Sequence, residues 1–522
     1  MGRRETFFKN AAVLTAATLL LRVIGMVFRI VIAGRLGAQG MGLYQVVLSV
    51  YMLAATLGSA GLSMSVTRLV SEEQIRTCRD GIRRMMAFCI TVAAILGAVV
   101  GAGLYAAAGI LASGWIREPS AAVSLRVLAL ALPFMGVSAV LRGYFTARRR
   151  LGFTSLSQLL EQGVKFAACM GFIALWGVPD AAFGCLLVMA ADTVSEWFSF
   201  AFQLAGYGAD SRRLPLQGTP LPRTPSVGQR LWEIAAPIAG VRIISSALYT
   251  VENTLVPNLL AKAGTDAAHG TALAQWGQLK GMAIPVLMFP STLLASFVLL
   301  LVPELCEYRA RGAEKQAGAL VALALRLTLA ASVGVAAGLY LLAGPLCQLV
   351  YPGQGIDFYV RVLAPLVPFM YLENVTEGML KGLGEQRITL TYSLVNVAVR
   401  IVLILLLVPR WGMRGFLWMM LVDNVVTSLL HTQRVLTVMQ LPMDWRHWVL
   451  RPLVAAAVSG TAGVWLVQRL AGRAAWLRLS AGGGIMAAVY AAAVLSLGVV
   501  TREDLRIFSA RKRSARREAK TA

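Results

Sequence analysis

Two arginines, Arg22 and Arg29, stand seven residues apart in the segment LRVIGMVFR, inside an apolar run from about residue 8 to about residue 34. Seven residues is two helical turns, so both side chains lie on one helix face. Arg22 is about 12 residues from the nearer end of the run, roughly 18 Å of helix, which is beyond the reach of a snorkelling arginine. A charge at that depth costs at least about 2.5–3.5 kcal/mol and by default faces a cavity or a partner. Two guanidiniums on one face suit a bidentate grip on an anion such as a diphosphate. Gly25 lies between them and allows a bend or a close approach. The alternative is pairing with carboxylates of neighbouring helices, which would make both arginines packing devices.

Other charged side chains fall within apolar stretches. Arg242 and Glu252 share GVRIISSALYTVENTLVP; Arg242 is placed to complete an anion site, and Glu252 is a counter-charge or a coupling-ion ligand. Lys280 sits in LKGMAIPVLMFP, ahead of Pro285 and Pro290, where a broken helix is expected and where transporter sites tend to lie. Glu373 and Glu377 are one turn apart and repel unless paired, protonated or bound to a cation, so they are candidates for a proton or sodium role. Glu161 and Lys165, also four apart, read as a structural pair, and Asp192 and Asp423 as buried hydrogen-bonding groups. Arg126 and Arg361 fall at outer helix ends. No HExxH, GxxxxGK[ST] or GxSxG sequence is present, so neither an enzyme nor direct ATP use is expected, and no cofactor is implied.

The elements that must carry these residues are membrane helices. Hydrophobic residues make up 57% of the chain and charged ones 14%, against roughly 25% charged in a soluble domain. Fourteen candidate spans follow: 8–34, 41–70, 82–112, 121–147, 154–176, 181–207, 229–261, 272–302, 317–348, 358–381, 388–409, 413–437, 448–469 and 475–498. The basic N-terminus reads as the flank of an uncleaved first span. With that terminus inside, 32 basic residues fall in inner segments and 8 in outer loops, the asymmetry of a plasma-membrane protein with both termini cytoplasmic. This accounts for most of the net charge of +24, and nucleic acid is not an expected partner. The tail RIFSARKRSARREAK is expected to lie against anionic lipid headgroups. Cys78, Cys89, Cys169, Cys185, Cys306 and Cys347 form no CxxC pair and read as small apolar side chains; no metal site is expected.

The chain repeats itself. RVLALALPFM at 126–135 matches RVLAPLVPFM at 361–370 in seven of ten positions, 235 residues apart. The same offset pairs Gly143 with Gly378, Lys165 with Arg400 and Trp176-Gly177 with Trp411-Gly412; an offset of 231 pairs Asp192 with Asp423. Spans 4–6 thus map onto spans 10–12, six apart and therefore parallel, as in transporters whose halves rock about a central site. The expected organisation is an all-α membrane protein with a first lobe at 1–207, a cytoplasmic linker at 208–228, a second lobe at 229–437, two further helices within 438–498 and a basic tail at 499–522.

The segment KNAAVLTAATLLLRVIGMVFRIVIAGRLGAQGMGLYQVVLSVYMLAATLGSAGLSMSVTRLVSEE resembles the first two helices of the stage V sporulation protein B-like flippases. These are polysaccharide-biosynthesis members of the multidrug/oligosaccharidyl-lipid/polysaccharide exporter superfamily. RGYFTARRRLGFTSLSQLLEQ, EGMLKGLGEQRIT and GMAIPVLMFPSTLLASFVLLLVPE resemble later junctions of the same family. The resemblance implies a two-lobed, fourteen-helix fold exporting a lipid-linked saccharide on an undecaprenyl diphosphate, with a peptidoglycan precursor among the candidate cargoes, for wall or spore-envelope synthesis. Other envelope-synthesis proteins are then potential partners. The more distant lipid II flippases carry two cavity arginines six residues apart in their first helix, so the resemblance transfers more firmly to Arg22 than to Arg29. In those relatives the last two helices hold the prenyl tail. A cation-coupled drug exporter and a non-transporting assembly scaffold are the competing readings. The coupling ion, proton or sodium, stays open.

Overall fold

A computed structural model of the chain describes residues 3–59, 61–75, 79–212, 226–263, 271–470 and 472–499. Most of the expected linker (213–225), the basic tail from 500, Cys78 and His269 lie outside the described residues. The described residues are helical almost throughout: α1 (Arg3–Ser59), α2 (Leu62–Ile75), α3 (Arg79–Ile110), α4 (Ala121–Ala129), α5 (Leu132–Ala147), α6 (Leu151–Trp176), α7 (Ala181–Ser211), α8 (Val227–Lys262), α9 (Ala272–Trp276), α10 (Ile284–Met288), α11 (Ser291–Ala310), α12 (Glu314–Leu341), α13 (Ala343–Val350), α14 (Asp357–Leu363), α15 (Val367–Gly382), α16 (Gln386–Met439), α17 (Arg451–Arg469) and α18 (Ala475–Ser496). Nine described helices are long and apolar enough to cross a membrane, or ten if one bent pair is a single span. The protein has an all-α, multi-pass membrane fold.

Several of the apolar runs expected to be single rods are broken, each for a local reason. α1 and α16 each consist of two helices meeting at a glycine with positive φ, Gly37 (67°) and Gly412 (55°). α4 and α5 meet at 44°, with Pro133 in the first turn of α5. The matching stretch from α14 to α15 passes through a 3₁₀ turn at Ala364–Leu366 that contains Pro365 and is followed by Pro368. A proline lacks the N–H for the helical ladder and clashes with the preceding turn. Around Lys280 the chain runs from α9 through a π-helical segment, Gly277–Ala283, into α10, then a turn into α11.

The chain forms two compact units that divide between Gly277 and Gln278. α8, which sequence places at the start of the second lobe, belongs to the first unit and packs along the second half of α1. There Thr250 Oγ1 donates to the Ser49 carbonyl (2.8 Å) and Thr56 Oγ1 bonds Ser246 Oγ (3.3 Å). The first unit's core includes Val66, Val70, Met86, Cys89, Val137, Val140, Tyr144 and Phe145. The second unit's includes Leu301, Leu305, Val321, Ala324, Leu372, Val375, Met379 and Leu380. Taken in order, each residue of the second set lies 235 positions after its counterpart in the first. The duplication visible in spans 4–6 therefore extends back through spans 2 and 3, where the side chains have changed but the buried positions have not. Close approach is preserved as well. A Cβ on Gly143 would sit 2.5 Å from the Ser63 carbonyl oxygen, and one on Gly378 would meet the Val298 side chain; Val298 is the same offset from Ser63.

Within the second unit, α17 and α18 pack on each other and on α12. Gly463 meets Met486, the Tyr490 hydroxyl donates to the Ala330 carbonyl (2.5 Å), and Arg451 Nη1 donates to the Leu497 carbonyl (2.6 Å).

Candidate functional site

Arg22 and Arg29 lie on the first half of α1, Arg22 exposed and Arg29 half-exposed. Arg22 is 15 residues before the break at Gly37, roughly 22 Å of helix. The helix passes Gly25 without a break, and a Cβ there would meet nothing within 4 Å, so the close approach anticipated at Gly25 is not made. Arg242 is exposed on α8, in the same unit. Among the described residues Arg22, Arg29 and Arg242 pair with no carboxylate. Glu252, further along α8, is 4% exposed and Lys280 is half-buried; both make interactions within the protein. Glu377 accepts from Lys381 one turn on (2.7 Å), an exposed pair. Glu373 is half-buried in the second unit and lies in the field of Arg400 and Asp423.

The intramembrane cations of α6 and α16 behave differently, because each has a carboxylate partner on the next helix segment. Lys165 on α6 pairs with Asp192 on α7, not with Glu161 of its own helix as sequence spacing suggested. Arg400 Nε donates to Asp423 Oδ2 at 3.0 Å, and a guanidinium nitrogen contacts the same oxygen. Asp192 and Asp423, expected as buried hydrogen-bonding groups, do bond within the protein, and in each case the partner is a cation. In each unit a cation 11 residues before the tryptophan of the Trp-Gly junction meets an aspartate on the helix segment that follows it. The junction glycines share a positive φ, 69° at Gly177 and 55° at Gly412. That turn folds the second helix back on the first and brings the two charges together.

Around Lys165 and Asp192 the first unit builds a larger polar cluster that the sequence reading missed. Ser157, Glu161 and Lys165 recur at every fourth residue of α6; Asp192, Glu196, Ser199 and Gln203 follow the helical period of α7. The stripes face each other. Ser157 Oγ and Ser199 Oγ are 3.4 Å apart, Ser199 donates to Glu161 Oε2 (2.8 Å), and Gln203 donates to Ser199 (2.9 Å). Arg142, from α5, reaches Glu161 at 3.9 Å. Tyr51 of α1 is buried beside the cluster and bonds Met135 Sδ (3.5 Å). The Lys165 ammonium lies 5.4 Å from the centre of the Phe28 ring, and Phe28 packs against Phe166 (5.9 Å). Phe28 immediately precedes Arg29, so the arginine-bearing helix rests on this cluster. The signal that could have found it is the pair of matched polar periods on consecutive spans.

Residues 7–297 match the profile of the family described as "Polysaccharide biosynthesis protein". The chain belongs to that family. It is also similar to stage V sporulation protein B of Bacillus subtilis (strain 168), at 25% identity over 96% of this chain and 98% of that one. Among solved structures it resembles the inward-facing conformation of a multidrug resistance MATE family transporter of the MOP superfamily (TM-score 0.63, 14% identity, 82% of this chain and 99% of that one). It also resembles the lipid II flippase MurJ in an inward closed conformation (TM-score 0.62, 11% identity, 92% and 97%). The fold of this polysaccharide biosynthesis family member is therefore that of MATE- and MurJ-type proteins.

Proposed function

We propose that this chain is a flippase that moves an anionic lipid-linked saccharide across the plasma membrane by alternating access, with fourteen spans arranged as two six-helix lobes and two C-terminal helices, and with both termini cytoplasmic. The observation that carries the reading is a contrast between cations. Lys165 and Arg400 are held by aspartates, whereas Arg22, Arg29 and Arg242 pair with no carboxylate among the described residues. An arginine deep in a span without a counter-charge is costly, and a substrate phosphate supplies that charge. A diphosphate carrier is the chemistry that two guanidiniums on one helix face fit. Lys280, in its interrupted helix, is a candidate for the same substrate; Glu252, Glu373 and Glu377 stay candidates for a coupling ion or counter-charge. The similarity to a lipid II flippase by fold, and to a sporulation protein by sequence, supports a wall or spore-envelope precursor as the cargo.

A hydrogen bond to a charged group contributes about 1.5–3 kcal/mol. Arg22→Ala should therefore weaken binding of lipid II to the reconstituted protein roughly 10- to 100-fold, leaving a neutral glycolipid unaffected. Equal affinity for lipid II, a neutral lipid and a cationic dye, or no effect of the substitution, would refute the anion site.

A further inference from the structure

We propose that Glu196 and Glu161 form a proton-binding site within the first unit, with Glu196 carrying the proton while the site is closed and releasing it once per transport cycle; the coupling to transport rests on the flippase reading above.

Glu196 is 15 residues from either end of α7, roughly 22 Å, and so sits at mid-span. The contacts of Ser157 with Ser199 and of Lys165 with Asp192 fix the antiparallel register of α6 on α7. That register sets Glu161 level with Glu196. Of the three acids in the cluster, Asp192 has Lys165, and Glu161 has Ser199 with Arg142 further off. Glu196 is 9% exposed, and its Oε2 has no hydrogen-bond partner among the described residues; the Gln203 side-chain oxygen one stripe position beyond Ser199 is likewise buried and unmatched. The groups facing Glu196 are Tyr51 from α1, Arg142 from α5, Glu161 and Lys165 from α6, and Asp192 from its own helix. With three carboxylates against two cations, one negative charge is left over. Two facing carboxylates do not both ionise away from water, and a buried acid without a partner takes up a proton instead.

The internal repeat separates this site from the scaffold. The ion pair of Lys165 and Asp192 recurs as Arg400 and Asp423. At the offsets that align those pairs, Glu161 corresponds to Asn396 and Glu196 to Thr427. The second unit builds the same helical hairpin with neutral side chains at both positions, so folding does not require the two carboxylates. A metal ion is a poorer occupant than a proton, because among the described residues no group of three His, Cys, Asp or Glu side chains converges as cation ligands.

In the closed site Glu196 is a neutral acid. When water enters, its O–H bond breaks, the proton passes to water and the electron pair stays on the carboxylate. Arg142, within 3.9 Å of Glu161, is then the one cation that two ionised carboxylates share, which leaves the net negative charge for the entering water to solvate. Phe28, lying over Lys165, connects that change to the helix of Arg22 and Arg29.

The test is an infrared titration of the full chain in lipid nanodiscs from about pH 5 to about pH 9, where a solvated carboxyl is already ionised over most of the range. A protonated-carboxyl stretch at neutral pH that Glu196→Gln removes is the expected result, with the unfolding temperature of that variant close to that of the native chain. Lipid translocation by the native protein should vary with pH, and that of Glu196→Gln should be flat. Should Glu196→Gln fail to fold, Glu196→Asp should shift the band. A band untouched by either substitution overturns the proposal, as does one abolished by sodium at constant pH, which would assign the site to the metal ion. The infrared band does not depend on substrate, so its presence alongside an ineffective Arg22→Ala would sink the anion site alone.

Discussion

At the scale of single residues, the membrane makes charge pairing a matter of position more than of sequence distance. Lys165 passes over Glu161, four residues away on its own helix, in favour of Asp192 on the next one. Removing one partner of a buried pair costs about 3–5 kcal/mol, because the other charge is stranded. Lys165→Ala should therefore lower the stability of the detergent-solubilised protein by about that amount, and Asp192→Asn in the same chain should restore much of it, as read by thermal unfolding in a double-mutant cycle. If the two substitutions are additive, the ion pair is not the interaction that matters. The depth of Arg22 was legible in the sequence because an apolar run measures it. The cluster of Glu161, Glu196, Ser199 and Arg142 was not, because its members come from three helices whose register only packing sets.

At the scale of elements, the repeat acts through turns and close contacts. Gly177 holds φ 69° and ψ −172°, a region essentially reserved for glycine, and closes the hairpin that delivers Asp192 to Lys165. Gly177→Ala should cost about 1–3 kcal/mol and loosen that ion pair, seen as a lower unfolding temperature and faster proteolysis at the junction. Gly143→Leu, which drives a side chain into the Ser63 backbone, should cost about 1–3 kcal/mol through overpacking. Gly152→Leu is the control, since a Cβ there meets nothing within 4 Å. Equal stability of the two variants would contradict the close crossing of α2 and α5. The sequence announced Gly143 and Gly177 as repeated positions. It gave no hint that one is a crossing point and the other a turn, since both are simply glycines in apolar surroundings.

For the whole molecule, orientation is a prediction of charge alone. A cysteine introduced by Arg117→Cys should react with a membrane-impermeant maleimide in intact cells, and one introduced by Arg149→Cys should react only after lysis; the reverse pattern would invert the topology expected from 32 inner against 8 outer basic residues. Composition determined by itself that the chain is a helical membrane protein, because backbone polar groups in lipid must be satisfied within each segment. The identities shared at an offset of 235 determined that it is duplicated. Tertiary structure decided the rest. It extended the duplication through cores whose residues have diverged, since burial is retained where side-chain identity is not. It grouped α8 with the first unit. It also sorted the intramembrane cations into those held by aspartates and those that pair with no carboxylate among the described residues, because electrostatic energy depends on the distance between charges, and in a helical bundle that distance is set by the neighbouring helix.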